Sequence, residues 1–126
     1  LTSIRQKSSL DGALRELVIM RVALLNRAPY EADQHAPIAV SEGVSEGKLA
    51  GLADWPDCPL FEPIERAVLA YVDAMTRQVQ VDDEVFAAVA AHFAPQQLVE
   101  LTATIAAYNM VSRFLEALQI HSHDTR

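Results

Sequence analysis

The sequence predicts an all-α fold of about six helices, built as one domain over residues 1–126. Hydrophobic residues make up 51% of the chain, which has only four glycines and six prolines. Such a composition is typical of a compact helical domain and argues against disorder. Apolar side chains recur at helical spacing in most segments, and Gln78–Val81 is the only extended candidate.

The first two predicted helices span about Leu10–Asn26 and Tyr30–Glu42 and are joined across a turn at Pro29. The first is apolar almost all round between Leu17 and Leu25, which indicates a central position. Gly43 is expected to end the second helix, because glycine is favoured just after a helix terminus.

The middle of the chain is predicted to hold a short helix, a loop and a longer helix. Ser45 can cap the helix Glu46–Ala53, and two prolines stiffen the loop Asp54–Phe61. Pro63 suits the first turn of a fourth helix. The apolar stripe of that helix consists of Ile64, Ala67, Val68, Tyr71, Val72 and Met75.

Two more helices complete the prediction. Asp82 is expected to cap the fifth, whose stripe is Val85, Phe86, Val89 and Phe93. The sixth begins at Pro95 and extends to about Leu118, so that the helix is expected to contact neighbours on two sides. Its apolar residues are Leu98, Leu101, Ile105, Tyr108 and Leu115, broadened by Val111, Phe114 and Leu118.

Charge and cysteine content exclude several classes of partner. The net charge is −7 and no Lys/Arg cluster is present, so neither nucleic acid nor an anionic membrane is an expected partner. The longest apolar run is too short to span a bilayer, and no signal peptide is visible. Cys58 is the single cysteine, which excludes an internal disulfide and fits a cytoplasmic protein. The apolar excess predicts a homo-oligomer.

Glu31 and His35 form the first candidate catalytic pair. Four residues apart on one helix, they lie on the same face at roughly 6 Å. A carboxylate beside a histidine supports general acid–base catalysis, but a surface ion pair is the commoner outcome of this spacing.

Glu16 is the third candidate catalytic residue. It stands at the edge of the apolar stretch, where desolvation raises a carboxyl pKa; otherwise it simply complements the helix dipole. If the first two helices formed a plain antiparallel hairpin, Glu16 would lie about one helical turn farther from the connecting corner than His35. We therefore expect long side chains, a steep crossing or a bridging water to connect them.

Other polar residues are weaker candidates. Tyr108, Asn109 and Arg113 can line a pocket on one helix face, although core packing is the commoner role of such residues. Tyr30 can form an aromatic wall, and an anionic substrate would need a basic group from Arg15, Arg21, Arg27 or Arg113.

No second-histidine spacing supports a metal site. His92 suits the end of the fifth helix, and His121 and His123 fall in a polar tail.

The chain resembles the carboxymuconolactone decarboxylase family, which includes the alkylhydroperoxidase-like proteins. The resemblance rests on LRELVIMRVALLNRAPYEADQH, ERAVLAYVDAMT and QQLVELTATIAAYNMVSRFLEAL, of which the first is the most specific. In the alkylhydroperoxidase branch a glutamate is followed twelve residues on by a CxxC pair, and a histidine lies four residues after the second cysteine. On this chain the glutamate is Glu16 and the histidine is His35. The two cysteine positions hold Ala28 and Glu31, which excludes thiol-dependent peroxide reduction at this site.

The resemblance implies an alkylhydroperoxidase-like helical bundle that assembles as a homo-oligomer, as a trimer or hexamer. It implies a cofactor-free lyase or isomerase that acts on a small lactone or enol carboxylic acid, with Glu16, Glu31 and His35 as catalytic groups. Substrate-binding residues would come from Arg21, Tyr30, Tyr108, Asn109 and Arg113. Two alternatives stay open: an alkylhydroperoxidase-like redox protein that has lost its cysteine pair, and a non-enzymatic oligomeric protein that binds small molecules.

Overall fold

The computed structural model describes residues 10–120, and this part of the chain contains only helices and their connections. The all-α prediction is confirmed, with helix bounds close to those predicted. The α-helices are α1 Gly12–Leu25, α2 Pro29–Ser41, α3 Glu46–Gly51, α4 Pro63–Arg77, α5 Asp83–Ala90 and α6 Pro95–Ala117, and a 3-10 helix, Leu52–Asp57, lies between α3 and α4. Within residues 10–120, no helix is both long and apolar enough to cross a membrane.

Helix α1 is the centre of the domain, as its apolar sequence predicts. It packs against α2, α4 and α6, and ten consecutive residues from Leu14 to Ala23 are buried. One side of α1 contributes to a core shared with α4 and α6, and the other to a second core shared with α2, α4 and the 3-10 helix. Because α1 is buried on all sides, its charged residues must find partners inside the protein.

A tight reversal joins α1 to α2. The N–H of Arg27 donates to the carbonyl of Leu24, and the N–H of Ala28 donates to that of Ala23. With Arg27 in the left-handed region at φ 50°, this is a Schellman motif, and Pro29 begins α2 directly after it. The same motif ends α2, where Gly43 has φ 103°, which confirms the glycine prediction.

The prediction of a loop over Asp54–Phe61 is partly wrong, because Leu52–Asp57 forms a 3-10 helix. Tertiary contacts stabilise it. Arg21 on α1 donates to the carbonyls of Leu52 and Ala53, and the indole N–H of Trp55 donates to Asp73 on α4. These partners come from distant parts of the chain, so local sequence signals did not reveal the helix.

Three other predictions also need correction. Gln78–Val81 is not extended but forms a turn in which Val79 has φ 68°. His92 lies in the turn after α5 rather than in its last turn. Helix α6 does pack against both α1 and α4, but Phe114 and Leu118 are exposed, so residues 10–120 leave that part of its broad apolar face uncovered.

Val79 carries backbone strain that can be removed. A β-branched residue in the left-handed region is disfavoured by about 1 kcal/mol, and this side chain is 80% exposed. Val79→Gly is therefore expected to raise the free energy of unfolding by about 1 kcal/mol. Urea denaturation measures the change.

Val40→Gly is the matched control, since Val40 is an exposed valine with ordinary helical geometry in α2. There a glycine should lower the free energy of unfolding by about 0.5 kcal/mol. Equal effects of the two substitutions would contradict the strain argument.

Candidate active site

The three predicted catalytic residues converge between α1 and α2. Nδ1 of His35 lies 2.8 Å from Oε1 of Glu16, and Nε2 lies 3.2 Å from Oε2 of Glu31. All three residues are buried, and Glu16 has no solvent-accessible surface. The pair Glu31–His35 is therefore not a surface ion pair. The predicted gap between Glu16 and His35 is closed by direct contact of the two side chains, without need of a bridging water.

Arg15 and Glu42 extend this cluster; Arg15 was expected only as one of four possible anion-binding arginines, and Glu42 was not expected in the site. Nε of Arg15 lies 3.3 Å from Oε2 of Glu16, and Nη2 lies 3.4 Å from Oε1 of Glu42. Arg15 is buried, whereas Glu42 is more than one-third exposed. The Glu16 carboxylate thus has one cationic partner on each oxygen. A buried acid needs a counter-charge, and the arginine beside it was the available signal.

The two carboxylates hold His35 in its protonated form. Burial lowers the pKa of the imidazole, but the hydrogen bonds to Glu16 and Glu31 and the charges of both raise it to about 9. At neutral pH the ring is therefore an imidazolium that donates from Nδ1 to Glu16 and forms an ion pair with Glu31 through Nε2. The cluster is thus a buried imidazolium between two carboxylates. That of Glu16 is fully buried, whereas the Glu31 side chain is 11% exposed and lies closer to the surface.

Tyr108 is the one predicted substrate-binding residue that touches the cluster. Its ring meets the His35 ring edge to face, with centroids 5.4 Å apart and planes at 87°. It also belongs to the apolar core around α1, α4 and α6. Tyr108 therefore closes the inner side of the imidazole and limits the orientations that the ring can take.

Asn109 and Arg113 lie together at a different place, where the ends of α1 and α4 meet α6. The amide of Asn109 donates to Oγ1 of Thr76 and accepts from Asn26, and Arg113 donates to the carbonyl of Thr76. These bonds join three helices. Their sequence spacing correctly placed the two residues near each other, but not against His35.

Arg21 binds elsewhere, and Tyr30 lies at the start of α2. The guanidinium of Arg21 forms a two-pronged ion pair with Asp73 and donates to the Leu52 and Ala53 carbonyls, so its nitrogens are engaged in stabilising the fold. Tyr30 is half-buried in the first turn of α2, beside Glu31 in the chain.

A cleft of about 510 Å³ opens at the corner between α1 and α2. Ala28 and Ala32 line it and flank Glu31 on the same helix, while Arg27 supplies a cation and Asp33 an anion. Its walls are otherwise apolar, from Ala23, Leu24 and Pro29. Such a cleft suits a small, largely apolar molecule with one anionic group.

The described part of the chain contains no cluster of three or more His, Cys, Asp or Glu residues arranged to hold a metal ion. His121 and His123 lie outside the described residues.

The pKa of His35 provides a direct test of this geometry. We expect NMR titration to give a value near 9, and Glu16→Gln and Glu31→Gln each to lower it, because each removes a negative charge from one ring nitrogen. Glu65→Gln is the control, since that carboxylate is paired with Lys48 outside the site. A value near 6.5 in the unsubstituted protein would show that the cluster is not formed in solution.

The same pKa predicts how stability depends on pH. A group whose pKa is higher in the folded state stabilises that state fully below its unfolded pKa, here 6.5, and loses this contribution as the pH rises through about 9. We expect urea denaturation to show a loss on the order of 2 to 3 kcal/mol over this interval. Glu31→Gln should make the loss smaller, and an unchanged profile in that variant would contradict the assignment.

Comparison with solved structures places this site in a known fold. A protein of unknown function from Agrobacterium tumefaciens, for which a role as the antioxidant-defence protein AhpD has been suggested, superposes with a TM-score of 0.90 at 26% identity, covering 98% of this chain and 86% of that one. A variant of the debrominase Bmp8 in complex with 2,3,4-tribromopyrrole superposes with a TM-score of 0.81 at 21% identity, covering 94% of this chain and 64% of that one. The second likeness is one of fold alone.

Sequence comparison gives the family. The uncharacterized protein YnjA of Escherichia coli (strain K12) is 37% identical over 117 residues, which are 92% of this chain and 64% of YnjA. The chain thus spans about two thirds of that relative. The profile of the carboxymuconolactone decarboxylase family matches residues 1–74, which include α1, α2 and all three site residues. The chain belongs to the carboxymuconolactone decarboxylase family.

Proposed function

We propose that the protein is a cofactor-free acid–base enzyme of the lyase or isomerase type, acting on a small lactone or enol carboxylic acid. The observation that carries this proposal is the imidazolium of His35 held between two buried carboxylates. A group that is protonated at neutral pH and surrounded by apolar side chains can act as a general acid. General acids raise the rate of proton-transfer steps by about 10² to 10⁴-fold.

The cleft at the α1–α2 corner is the proposed substrate site. A carboxylate of the substrate would pair with Arg27, and the apolar part would lie against Leu24 and Ala28. The reacting carbon would then lie near Glu31, which is adjacent to Ala32 of the cleft wall. Arg27 thus replaces Arg21 and Arg113 as the proposed anion-binding arginine, because the guanidinium of Arg21 is engaged with Asp73.

The proposed reaction is a decarboxylation followed by protonation at carbon. The bond between the substrate carbon and its carboxylate breaks, CO₂ leaves, and the electron pair passes into the unsaturated lactone as a dienolate. A proton is then added to that dienolate at carbon, so that one proton is consumed for each CO₂ released. An isomerase would use the same acid–base residues to remove a proton from one carbon of the substrate and add a proton at another, without loss of CO₂.

The exposures of the two carboxylates suggest which of them meets the substrate. Glu31 keeps some exposure and precedes Ala32 of the cleft wall in the chain, whereas Glu16 has no exposure. We therefore assign Glu31 the transfer of the proton to carbon, His35 its resupply, and Glu16 the stabilisation of the imidazolium. Arg15 supplies Glu16 with a second counter-charge through its contact with Oε2.

The names of the structural neighbours offer a redox alternative. Peroxide reduction by a thiol pair needs two cysteines, and the positions that would hold them are Ala28 and Glu31. Cys58 follows the 3-10 helix, packs near Gly51, and has no second cysteine with which to form a pair. The residues present therefore favour acid–base over thiol chemistry.

A small-molecule-binding role without turnover is the second candidate. It is favoured by one observation: the cleft is lined by Arg27, Asp33 and apolar side chains, and neither Glu31 nor His35 is among its lining residues. In that case Arg27 and the apolar walls would bind an organic acid while the Glu16–His35–Glu31 cluster served stability.

A substrate panel separates these candidates. Carboxymuconolactone and simpler unsaturated lactone acids would be assayed for CO₂ release and, in D₂O, for deuterium incorporation at carbon. We expect turnover by the unsubstituted protein and a loss in kcat of at least about 100-fold in Glu31→Gln and His35→Gln.

His92→Gln is the matched control, since this exposed histidine lies in the turn after α5 and should leave kcat unchanged. Circular dichroism would establish that each variant is folded. Binding of panel members without turnover would support the binding role and overturn the enzymatic one. Equal rates in the unsubstituted protein and His35→Gln would overturn the assignment of the site.

A further inference from the structure

The two arginines of α1 use the same pair of nitrogens in different ways. Arg21 places Nε and Nη2 on one carboxylate, that of Asp73, at 2.8 and 3.1 Å. Arg15 divides these nitrogens between two carboxylates, with Nε 3.3 Å from Glu16 and Nη2 3.4 Å from Glu42. A two-pronged pair is the stronger and more specific way for a guanidinium to bind a carboxylate. Arg15 therefore does not use the stronger arrangement with Glu16.

Glu42 is the residue that competes for Arg15. It directly follows α2, and its carboxylate lies against Gly12 in the first turn of α1. That turn contains no acidic residue of its own, so the negative charge of Glu42 is favourable beside the N-terminus of α1. In this position Glu42 draws Nη2 of Arg15 away from the buried carboxylate of Glu16.

Gly12 provides the space for the Glu42 carboxylate. A Cβ at position 12 would lie 2.8 Å from Cδ of Glu42 and closer still to Oε2, so any larger residue requires that side chain to move. Gly12 begins α1 and does not have a positive φ, so it is the close approach and not the backbone that uses the glycine. Because the Glu42 side chain is 42% exposed, it can move aside without disturbing the core.

We infer that Glu42 is a positioning residue of the candidate active site: by holding one arm of Arg15, it prevents a two-pronged Arg15–Glu16 pair and leaves Glu16 to His35. Glu42 is not among the residues that line the α1–α2 cleft, and its ion-pair partner is Arg15, so it acts through the arginine. Its part in catalysis rests on the proposed function, whereas its effect on the imidazole can be measured without turnover.

The consequence of this competition falls on the imidazolium. Glu16 from α1, Glu31 from its own helix α2 and Tyr108 from α6 face the ring of His35. A guanidinium with both nitrogens on Glu16 would offset more of the negative charge that Nδ1 of His35 meets. The ring would then hold its proton less tightly. Glu42 thereby helps to keep His35 protonated without touching it.

NMR titration of His35 in the full chain tests this role. Glu42→Gln and Gly12→Ala should each lower the pKa of His35 from about 9 by on the order of 0.5 to 1 pH unit. Gly12→Ala is the sharper of the two variants, because it moves the Glu42 carboxylate without removing any charge.

Gly47→Ala and Glu46→Gln are the matched controls. Gly47 lies in the first turn of α3, where a Cβ would meet a methyl group of Leu60 instead of a carboxylate. Glu46 is an exposed glutamate of the same turn. Both variants should leave the pKa of His35 unchanged. If Gly12→Ala changed only the free energy of unfolding and not this pKa, the proposal would be overturned.

A crystal structure of Gly12→Ala tests the geometry directly. Both Nε and Nη2 of Arg15 should contact Glu16, as those of Arg21 contact Asp73 in the unsubstituted protein. Departure of Arg15 from Glu16 would overturn the proposal, because the ion pair would then depend on the second glutamate instead of competing with it.

Kinetics separate this proposal from the proposed function. With a substrate of the panel, the pH at which kcat declines on the alkaline side should fall together with the pKa of His35 in Gly12→Ala. A lowered pKa in a protein that turns over no member of the panel would support the role of Glu42 in the cluster and overturn the proposed function. An unchanged pKa would overturn the role of Glu42, whether or not turnover is seen.

Discussion

The carboxylate of Glu16 has no contact with solvent, and a charge in that position must be neutralised within the protein. Arg15 and His35 supply the two counter-charges, one on each oxygen. This requirement fixes the rotation of α2 against α1, because only one face of α2 carries a histidine that reaches Glu16. It also keeps His35 protonated. The helix packing and the proposed chemistry therefore depend on the same ion pair.

Helix α1 makes a second set of charged contacts on its other side. Arg21 joins Asp73 on α4 and two carbonyls of the 3-10 helix, and Trp55 donates to the same Asp73. Each side of the central helix is thus fixed by specific polar bonds in addition to apolar packing. Apolar contacts alone tolerate sliding, whereas these bonds define one register between α1 and each neighbour.

Much of this arrangement could be predicted from the sequence. Helical periodicity gave the six helices, and the four-residue spacing of Glu31 and His35 gave their common face. The direct contact between Glu16 and His35 could not be predicted, since the heights of residues on two helices depend on how they cross. The role of Arg15 was missed because adjacent residues on a helix do not normally face each other. The 3-10 helix was missed because it is held by Arg21 and Trp55 from afar.

The α6 helix shows a different limit of prediction from helical periodicity. Its apolar periodicity correctly predicted a broad hydrophobic face, with Leu101, Ile105 and Tyr108 in the core. Periodicity does not say whether the rest of such a face is covered by the same chain. Phe114 and Leu118 are left exposed by the helices described, so the pattern predicted burial without identifying what would provide it.

Position 31 can hold only one kind of chemistry. In the alkylhydroperoxidase branch that the chain resembles, this position belongs to a thiol that exchanges electrons; here it holds the second carboxylate of His35. A cysteine at position 31 would remove the Glu31 carboxylate and leave Nε2 of His35 without that partner. Position 28 would still be an alanine, so no second thiol would be present to form a disulfide. A single exchange at residue 31 therefore cannot convert one activity into the other. It would remove the proposed proton route without creating an electron route, so that an evolutionary passage between the two chemistries must change positions 28 and 31 together or cross an inactive intermediate.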